Sequence, residues 1–404
     1  MPSGTIWHVI GSLDPSRGGT TAAVAEISSR LAKRGHPTRI LAGAAAGSIE
    51  SDLAHWDRLR AAGVRLDIEA ASGVPLRSPA LTKRISDSVK SGDVVHFHGV
   101  WEGLLWDAAR VAERAGVSYM VCPHGMLDRW CRARSRFKKA FAWNLGARHF
   151  VRRAGIVHCL TEHDRVETQE VCGPAPVRII PTGVDPTAFP VREARSGPPR
   201  PLEILYLGRV HPKKGLDVLL EAFASMNHPA ALKIAGPSDD AAFESRCRAI
   251  VSDRNLASRV RWLGPLLGER KLAAFRSSDV FVLPSWQEGL SIAVLEALAC
   301  ALPVVLSEQC HFPEVGHHRA GFVAPNEAQA VAASLDTLAA MDEASRREMG
   351  AAGRRLVETS YSWDSIVNQL EIAYSELGYQ NSSSRGRSRD AVIAVKSAPD
   401  ASRS

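Results

Sequence analysis

Short, continuous apolar runs alternate with amphipathic stretches along almost the whole chain. In the first half the runs are TIWHVIG (5–11), PTRILAG (37–43), VRLDI (64–68), DVVHFHG (93–99), VSYMVCPHG (117–125) and GIVHCLT (155–161). They have strand length and lack strict apolar–polar alternation, as expected of strands buried on both faces. Between them lie stretches of helical period. TTAAVAEISSRLAKRG (20–35) carries Ala22, Ala25 and Leu31 on one face and ends at Gly35, and LLWDAARVAERAG (104–116) repeats the pattern. Further helices are predicted near 51–62 and 79–90. Strand–helix repetition implies a parallel sheet covered by helices on both faces.

VREARSGPPRPLE (191–203) breaks the pattern with Pro, Gly and Arg and no period, and it reads as a linker. The repetition then restarts with strands LEILYLG, ALKIAG, RVRWLG, DVFVLPS and LPVVLS and helices such as LDVLLEAFASM. The fold class is therefore α/β, with two doubly wound Rossmann-like domains facing across a cleft. The expected division is 1–190 for the first domain, 191–202 for the linker and 203–360 for the second domain. A helix at 361–378 crosses back toward the first domain, and a polar, low-complexity tail at 379–404 is expected to be disordered.

Composition narrows the function classes. Of 404 residues 45% are hydrophobic and 23% charged, the balance of a soluble globular chain. The N-terminus has no basic segment ahead of an apolar core, and the longest apolar run, within 285–305, is broken by Glu296 and Pro303, so neither a signal peptide nor a membrane span is expected. Seven cysteines without a CxxC spacing suggest a reduced, cytoplasmic chain without disulfides or zinc. The His-x-His of HFHG lacks further ligands at a matching spacing, and no metal site is expected. The net charge of +7 is uneven: residues 1–200 carry 28 Lys/Arg against 19 Asp/Glu, whereas 201–378 carry 17 against 22. A basic half suggests an anionic partner.

The stretch SWQEGLSIAVLEALACALPVV (285–305) contains two glutamates, Glu288 and Glu296, amid apolar and turn residues. Buried carboxylates are costly unless hydrogen-bonded or paired. A strand ends before this stretch and a helix starts within it, so the amides of Gly289, Leu290 and Ser291 lie at a helix N-terminus, a ready anion or hydroxyl site. Both carboxylates can then line one pocket.

This stretch resembles the E-x7-E signature of the retaining glycosyltransferases of family 4, which have the two-domain GT-B fold. GGTTAAVAEISSRLAKRGH, DVVHFHG, IIPTGVD, YLGRVHPKKG, LKIAGP, RWLG and SSDVFVLPS resemble the family's other landmarks in order over residues 5–378. The resemblance implies a nucleotide-diphosphate sugar as co-substrate, no other cofactor and no metal. Arg209 and Lys214 match the cations that hold the donor diphosphate, where fixed positive charge stabilises the leaving group; Lys213 is a neighbour able to substitute in part. Glu296 matches the acid on the ribose hydroxyls, and Glu288 the acid on the donor sugar, beside the amides of 289–291. Gly18 and Gly19 match the loop at the phosphates and acceptor, where glycine permits close backbone approach. His124 matches the histidine facing the donor sugar; His98 shares that wall, and His96 packs internally. Ser291 departs from the usual glycine. The base is read around Arg261 to Gly264.

The segment 129–153 carries nine Lys/Arg interleaved with Trp130, Phe137, Phe141, Trp143 and Phe150. Trp130, Phe137 and Phe141, and likewise Arg132, Arg136 and Lys139, fall at helical spacing. The segment reads as one amphipathic helix for an anionic membrane surface or a lipid diphosphate acceptor; the alternative is an ordinary helix with aromatics in the core. No nucleic-acid-binding motif accompanies the charge. PHGMLD followed by such a segment resembles family members that build bacterial surface polysaccharides. The resemblance thus implies sugar transfer to a lipid-linked or oligosaccharide acceptor in O-antigen, capsule or exopolysaccharide synthesis, at the inner face of the cytoplasmic membrane. A sugar-nucleotide epimerase of the same fold and a non-catalytic nucleotide-binding scaffold are the competing readings. SRGGTT lacks the G-x-G-x-x-G of a dinucleotide dehydrogenase.

Overall fold

The computed structural model describes residues 4–14, 19–45, 49, 56–133, 135–191 and 200–380. Gly18, Arg134, most of the linker and the tail from 381 onward lie outside the described residues.

Two parallel sheets form the framework. The first has seven strands in the order β3-β2-β1-β4-β5-β6-β7: β1 is Ile6–Ile10, β2 Thr38–Ala44, β3 Arg65–Ala70, β4 Val94–His98, β5 Tyr119–Cys122, β6 Ile156–Cys159 and β7 Val177–Ile179. The second has six strands in the order β10-β9-β8-β11-β12-β13: β8 is Leu202–Leu207, β9 Ala230–Ala235, β10 Val260–Gly264, β11 Val280–Leu283, β12 Val304–Ser307 and β13 Gly321–Ala324. β1, β4, β5, β6, β11 and β12 are buried along their whole lengths, which is why their sequences read as near-continuous apolar runs interrupted mainly by histidine. The strand order reverses between β1 and β4 in one sheet and between β8 and β11 in the other. At such points the crevice beyond the strands' carboxyl ends receives ligands.

The last helix, Trp363–Glu376, leaves the second domain and packs on the first. Trp363, Ile366, Val367, Leu370, Ala373 and Tyr374 join Ile6, Ile27, Leu31, Val94 and Met120 in one buried cluster. Two strands of chain therefore cross side by side between the domains, Val184 pairing its backbone with Tyr361 and Trp363 at 2.9 and 3.1 Å. Tyr379 and Gln380 correct the start of the expected tail. Tyr379 is buried with its hydroxyl 3.1 Å from His36 Nδ1, and Gln380 exchanges backbone hydrogen bonds with Gly4 and Gly92. The apolar body of the tyrosine extends the helix's contact with the first domain beyond the point where the polar composition begins.

The basic segment is not the single helix predicted from spacing. Arg129–Ala133 and Arg136–Ala142 are separate short helices, with Ser135 between them in the left-handed region at φ 57°. A π-helical turn over Trp143–Ala147 and a helix over Arg148–Arg152 follow. Phe150 and Ala147 are core residues, whereas Phe137 and Phe141 are 76% and 67% exposed. Several of the cations belong to the fold. Arg132 donates to the Leu127 carbonyl at 2.8 Å, Lys139 to the Cys131 carbonyl, and Arg129 pairs with Glu170 at 2.7 Å. The acids come from the helix Glu162–Cys172, which a reading confined to the segment does not see.

Candidate functional site

The second domain contributes a row of charged groups at the carboxyl ends of its strands. β11 ends at Leu283, and Glu288 follows in the turn before the helix Ile292–Ala299. Glu288 is only 8% exposed. Its carboxylate pairs with Lys214 and accepts a hydrogen bond from Ser285 Oγ at 3.0 Å, while its backbone N–H donates to the Gln309 carbonyl. Lys214 comes from the loop after β8. Gly215 makes that approach possible: its φ is +65°, and a Cβ there would sit 1.8 Å from the Pro284 carbonyl oxygen. Only glycine allows the two loops to meet so closely.

Glu296, one helix face further in and 7% exposed, pairs with Lys271 at 2.6 Å. Burial pushes its pKa up against the pull of that lysine. The two buried glutamates are thus both real and both answered by a lysine. Lys271, on the helix Gly268–Arg276, has no signature of its own in the sequence; it is found only when the helix is placed beside Glu296. Arg209 goes elsewhere, to Asp239 at 2.7 Å, and is half exposed. Lys213 does not duplicate Lys214. Its ammonium lies 5.0 Å over the Trp130 ring of the first domain, and burial lowers its pKa. Gly289 has open space where a side chain would be, and Leu290 and Ser291 lead into the helix, whose N-cap, Ser291, spends no side-chain hydrogen bond on capping.

The first domain faces this row with the ends of β1, β4 and β5. His124 follows β5 in the left-handed region at φ 50° and lies 3.1 Å from His98, the last residue of β4. His96, two residues earlier on the same face, is fully buried against Tyr374; the two share a face by their spacing, so depth along the strand and not alternation separates them. Gly19 begins the first helix, and a Cβ there would sit 3.4 Å from Ile292 of the opposing domain. Glu102 is a residue the sequence reading passed over. Its side chain lies against Gly11 and Gly99 at the ends of β1 and β4, where a Cβ would come within 2.9 and 3.0 Å of it. That puts a carboxylate at the switch point of the first sheet. Tight glycines after two neighbouring strands were the available signal.

The domains touch across the cleft. The rings of His163 and His311 stack at 3.5 Å and 10°, and the Asp128 carboxylate bonds both His163 and the Gln287 side chain beside Glu288. The hydrogen bond to Asp128 raises the pKa of His163, while burial lowers that of His311 to about 4, so the stack carries at most one charge near neutral pH. As to metals, the ring nitrogens of His8, His96 and His98 lie within 4.8 Å of one another and are the grouping among the described residues that offers three ligands.

Asp164, behind the His124 loop, is buried and has its pKa raised by burial to about 6. The unfolded chain therefore loses that proton first as pH rises, and stability falls between the ordinary carboxylate value and about 6. Asp164→Asn is expected to gain up to about 3 kcal/mol relative to the parent above that range and nothing below pH 4. Thermal melts of both proteins from pH 4 to 7.5 check this; a difference that does not grow with pH refutes it.

Against this geometry the relatives can be placed. The sequence matches the family model for glycosyl transferases group 1 over residues 201–341 and that for glycosyltransferase family 4 over residues 17–188, one on each domain. The GDP-mannose-dependent α-(1-6)-phosphatidylinositol monomannoside mannosyltransferase of Mycobacterium tuberculosis is 27% identical over 394 residues, covering 90% of this chain and 96% of its own. The amylovoran biosynthesis glycosyltransferase of Erwinia amylovora is 31% identical over 210 residues, 49% of this chain and 50% of its own. The Anabaena protein HepE, solved in complex with UDP and glucose, superposes with a TM-score of 0.72 at 16% identity, over 92% of this chain and 99% of its own. The chain belongs to the group 1 glycosyl transferases of family 4 and is a glycosyltransferase enzyme of GT-B fold.

Proposed function

We propose that this enzyme is a retaining, metal-independent glycosyltransferase that moves a sugar from a nucleotide-diphosphate sugar, GDP-mannose or a similar donor, to a lipid-linked or oligosaccharide acceptor in bacterial surface-polysaccharide synthesis. The observation that carries the proposal is the pair of buried glutamates, each matched with a lysine, at the strand ends of the second domain. In this arrangement a diphosphate takes Lys214 and Arg209 from their acids, and the freed carboxylates accept hydrogen bonds from sugar hydroxyls. Lys214 then faces the charge that develops as the glycosidic bond breaks. The E-x7-E spacing supports retention by resemblance. The M. tuberculosis relative supports a GDP-mannose donor and a lipid acceptor, and the amylovoran relative supports polysaccharide synthesis. Glu102, at the switch point of the first sheet, supports an acceptor-hydroxyl site there.

The test is thermal stability against nucleoside diphosphates and nucleotide-sugars with EDTA present. One base is expected to raise the melting temperature selectively, and Lys214→Ala to remove the rise. A rise that needs magnesium or manganese refutes metal independence. No rise with any donor, together with no sugar transfer to extracted polyprenyl-linked acceptors, refutes the donor site.

We further propose that the enzyme works at the inner face of the cytoplasmic membrane. Among the described residues no helix is long and apolar enough to cross a membrane. The exposed rings of Phe137 and Phe141 beside Arg136 and Lys138 support contact with a lipid surface instead. Phe137→Ser with Phe141→Ser is expected to reduce sedimentation with anionic liposomes several-fold while leaving the melting temperature within about 1 °C, because neither ring is buried. Equal sedimentation of parent and variant refutes the membrane contact.

A further inference from the structure

Two chains of buried imidazoles cross the middle of the first sheet, and hydrogen-bond accounting treats them differently. In the first chain every proton can be assigned. His158 Nε2 lies 2.6 Å from the Ile180 carbonyl, which can only accept, so Nε2 carries the proton. Burial keeps His158 neutral at pH 7, with its pKa lowered to about 4, so its Nδ1 is an acceptor. The nitrogen facing it at 3.2 Å, His96 Nε2, must then donate. His96 Nδ1 is left as an acceptor for the Tyr374 hydroxyl at 2.8 Å.

The second chain runs from the core to the cleft. His8 Nδ1 lies 3.0 Å from His98 Nε2, and His98 Nδ1 lies 3.1 Å from His124 Nε2. Burial holds all three imidazoles neutral, with His8 and His124 lowered to about 3. Each ring therefore has one N–H and one lone pair, and only two settings are consistent. Either all protons point toward the cleft, and His124 presents Nδ1–H, or all point inward, and His124 presents a bare Nδ1. The far end decides between them. His8 Nε2 is buried without a hydrogen-bond partner among the described residues. The inward setting puts an N–H there with no acceptor; the outward setting leaves a lone pair. An unpartnered buried nitrogen costs about 1–3 kcal/mol as donor or as acceptor, but orphaned N–H groups are the rarer defect in folded proteins, and that rarity selects the outward setting against the Nε2–H preference of free imidazole.

We propose that His8 and His98 are positioning residues that fix His124 as its Nδ1–H tautomer, so that it acts toward the cleft as a hydrogen-bond donor and not as a base. The class of group it meets is an oxygen acceptor, a hydroxyl or phosphate oxygen of the nucleotide-sugar; that part rests on the proposed function. The left-handed backbone at His124 turns the ring onto His98 and leaves Nδ1 without a protein partner among the described residues. The same proton count argues against a metal at His8, His96 and His98. His96 has one nitrogen protonated and the other bonded to Tyr374, and the lone pair of His98 is taken by His8.

The experiment is a long-range proton–nitrogen correlation spectrum of the full chain, labelled with nitrogen-15 in the histidine rings, at pH 7 without ligand. His124→Gln assigns the His124 signals. The expected result is a protonated Nδ1 and an unprotonated Nε2 at His124. The reverse pattern, or an averaged pair like that of free histidine, overturns the proposal from the parent spectrum alone. In His98→Phe, and in His8→Phe should the first not fold, His124 is expected to shift toward the Nε2–H form that free imidazoles prefer. An unchanged Nδ1–H tautomer in whichever of these variants folds removes the positioning role. Because no donor is added, a wrong donor class leaves this outcome untouched.

Discussion

Lys214→Ala is expected to lower turnover about 100-fold and to abolish stabilisation by the nucleoside diphosphate. Removing one fixed donor from a site where negative charge develops typically costs 10²–10³ in rate, about 3–4 kcal/mol. Lys214 suits that estimate because its ammonium is fixed by a partner before any ligand arrives. Its side chain is 16% exposed and that of Glu288 10%, so the pair is shielded from solvent and its electrostatics are little screened. The same shielding makes the substitution costly to the fold. Breaking a buried pair by removing one partner destabilises by roughly 3–5 kcal/mol, since the other charge is left alone. Loss of activity therefore needs a control that separates catalysis from folding. The double variant Lys214→Ala, Glu288→Gln removes both charges and is expected to recover most of the melting temperature but none of the turnover. Recovery of turnover in the double variant, or turnover within tenfold of the parent in Lys214→Ala, overturns the role of Lys214 as the diphosphate's cation.

Which features were legible in the sequence follows from where their causes lie. Most strands of both sheets were readable because burial on both faces leaves few polar positions to break the run, as in YMVC and VFVL. β7 and β13 escaped notice as strands: each has only three or four residues, lies at a sheet edge and is incompletely buried, so its period is lost. Glu288 and Glu296 stood out because a charge in an apolar helix start requires an explanation. Their lysines were a different matter. Lys214 was found through a local motif, but Lys271 lies 25 residues from Glu296 on an ordinary amphipathic helix, and only the fold brings them together. The basic segment misled for the same reason in reverse. Helical spacing was correct over each short helix, but the left-handed Ser135 resets the phase between Arg132 and Arg136, and the acids that neutralise Arg129 and Arg132, Glu170 and Glu167, come from a separate helix later in the chain. The histidine chain was half legible. His96 and His98 share a strand face by their spacing, but His8, His124 and His158 join them only through the strand order.

Glu288→Gln should separate from Lys214→Ala in a specific way. It is expected to lower turnover by at least about tenfold, roughly 1.4 kcal/mol of transition-state stabilisation, while keeping or strengthening binding of the bare diphosphate. A hydrogen bond from a hydroxyl to a charged group is worth about 1.5–3 kcal/mol, and glutamine retains only the weaker neutral bond. The amide still accepts from Ser285 Oγ, so the turn keeps its internal contact. What changes is Lys214. Without the carboxylate beside it, the ammonium no longer has a partner to leave when the phosphate arrives, and the cost of that exchange disappears from the binding step. The sugar end loses its acceptor at the same time. The two effects have opposite signs, one on diphosphate affinity and one on rate, and a merely structural role for Glu288 gives neither. Calorimetric titration with the nucleoside diphosphate, beside initial rates of sugar transfer, reads both. Unchanged turnover, or diphosphate affinity that falls with turnover as in Lys214→Ala, would show that Glu288 does not contact the donor sugar.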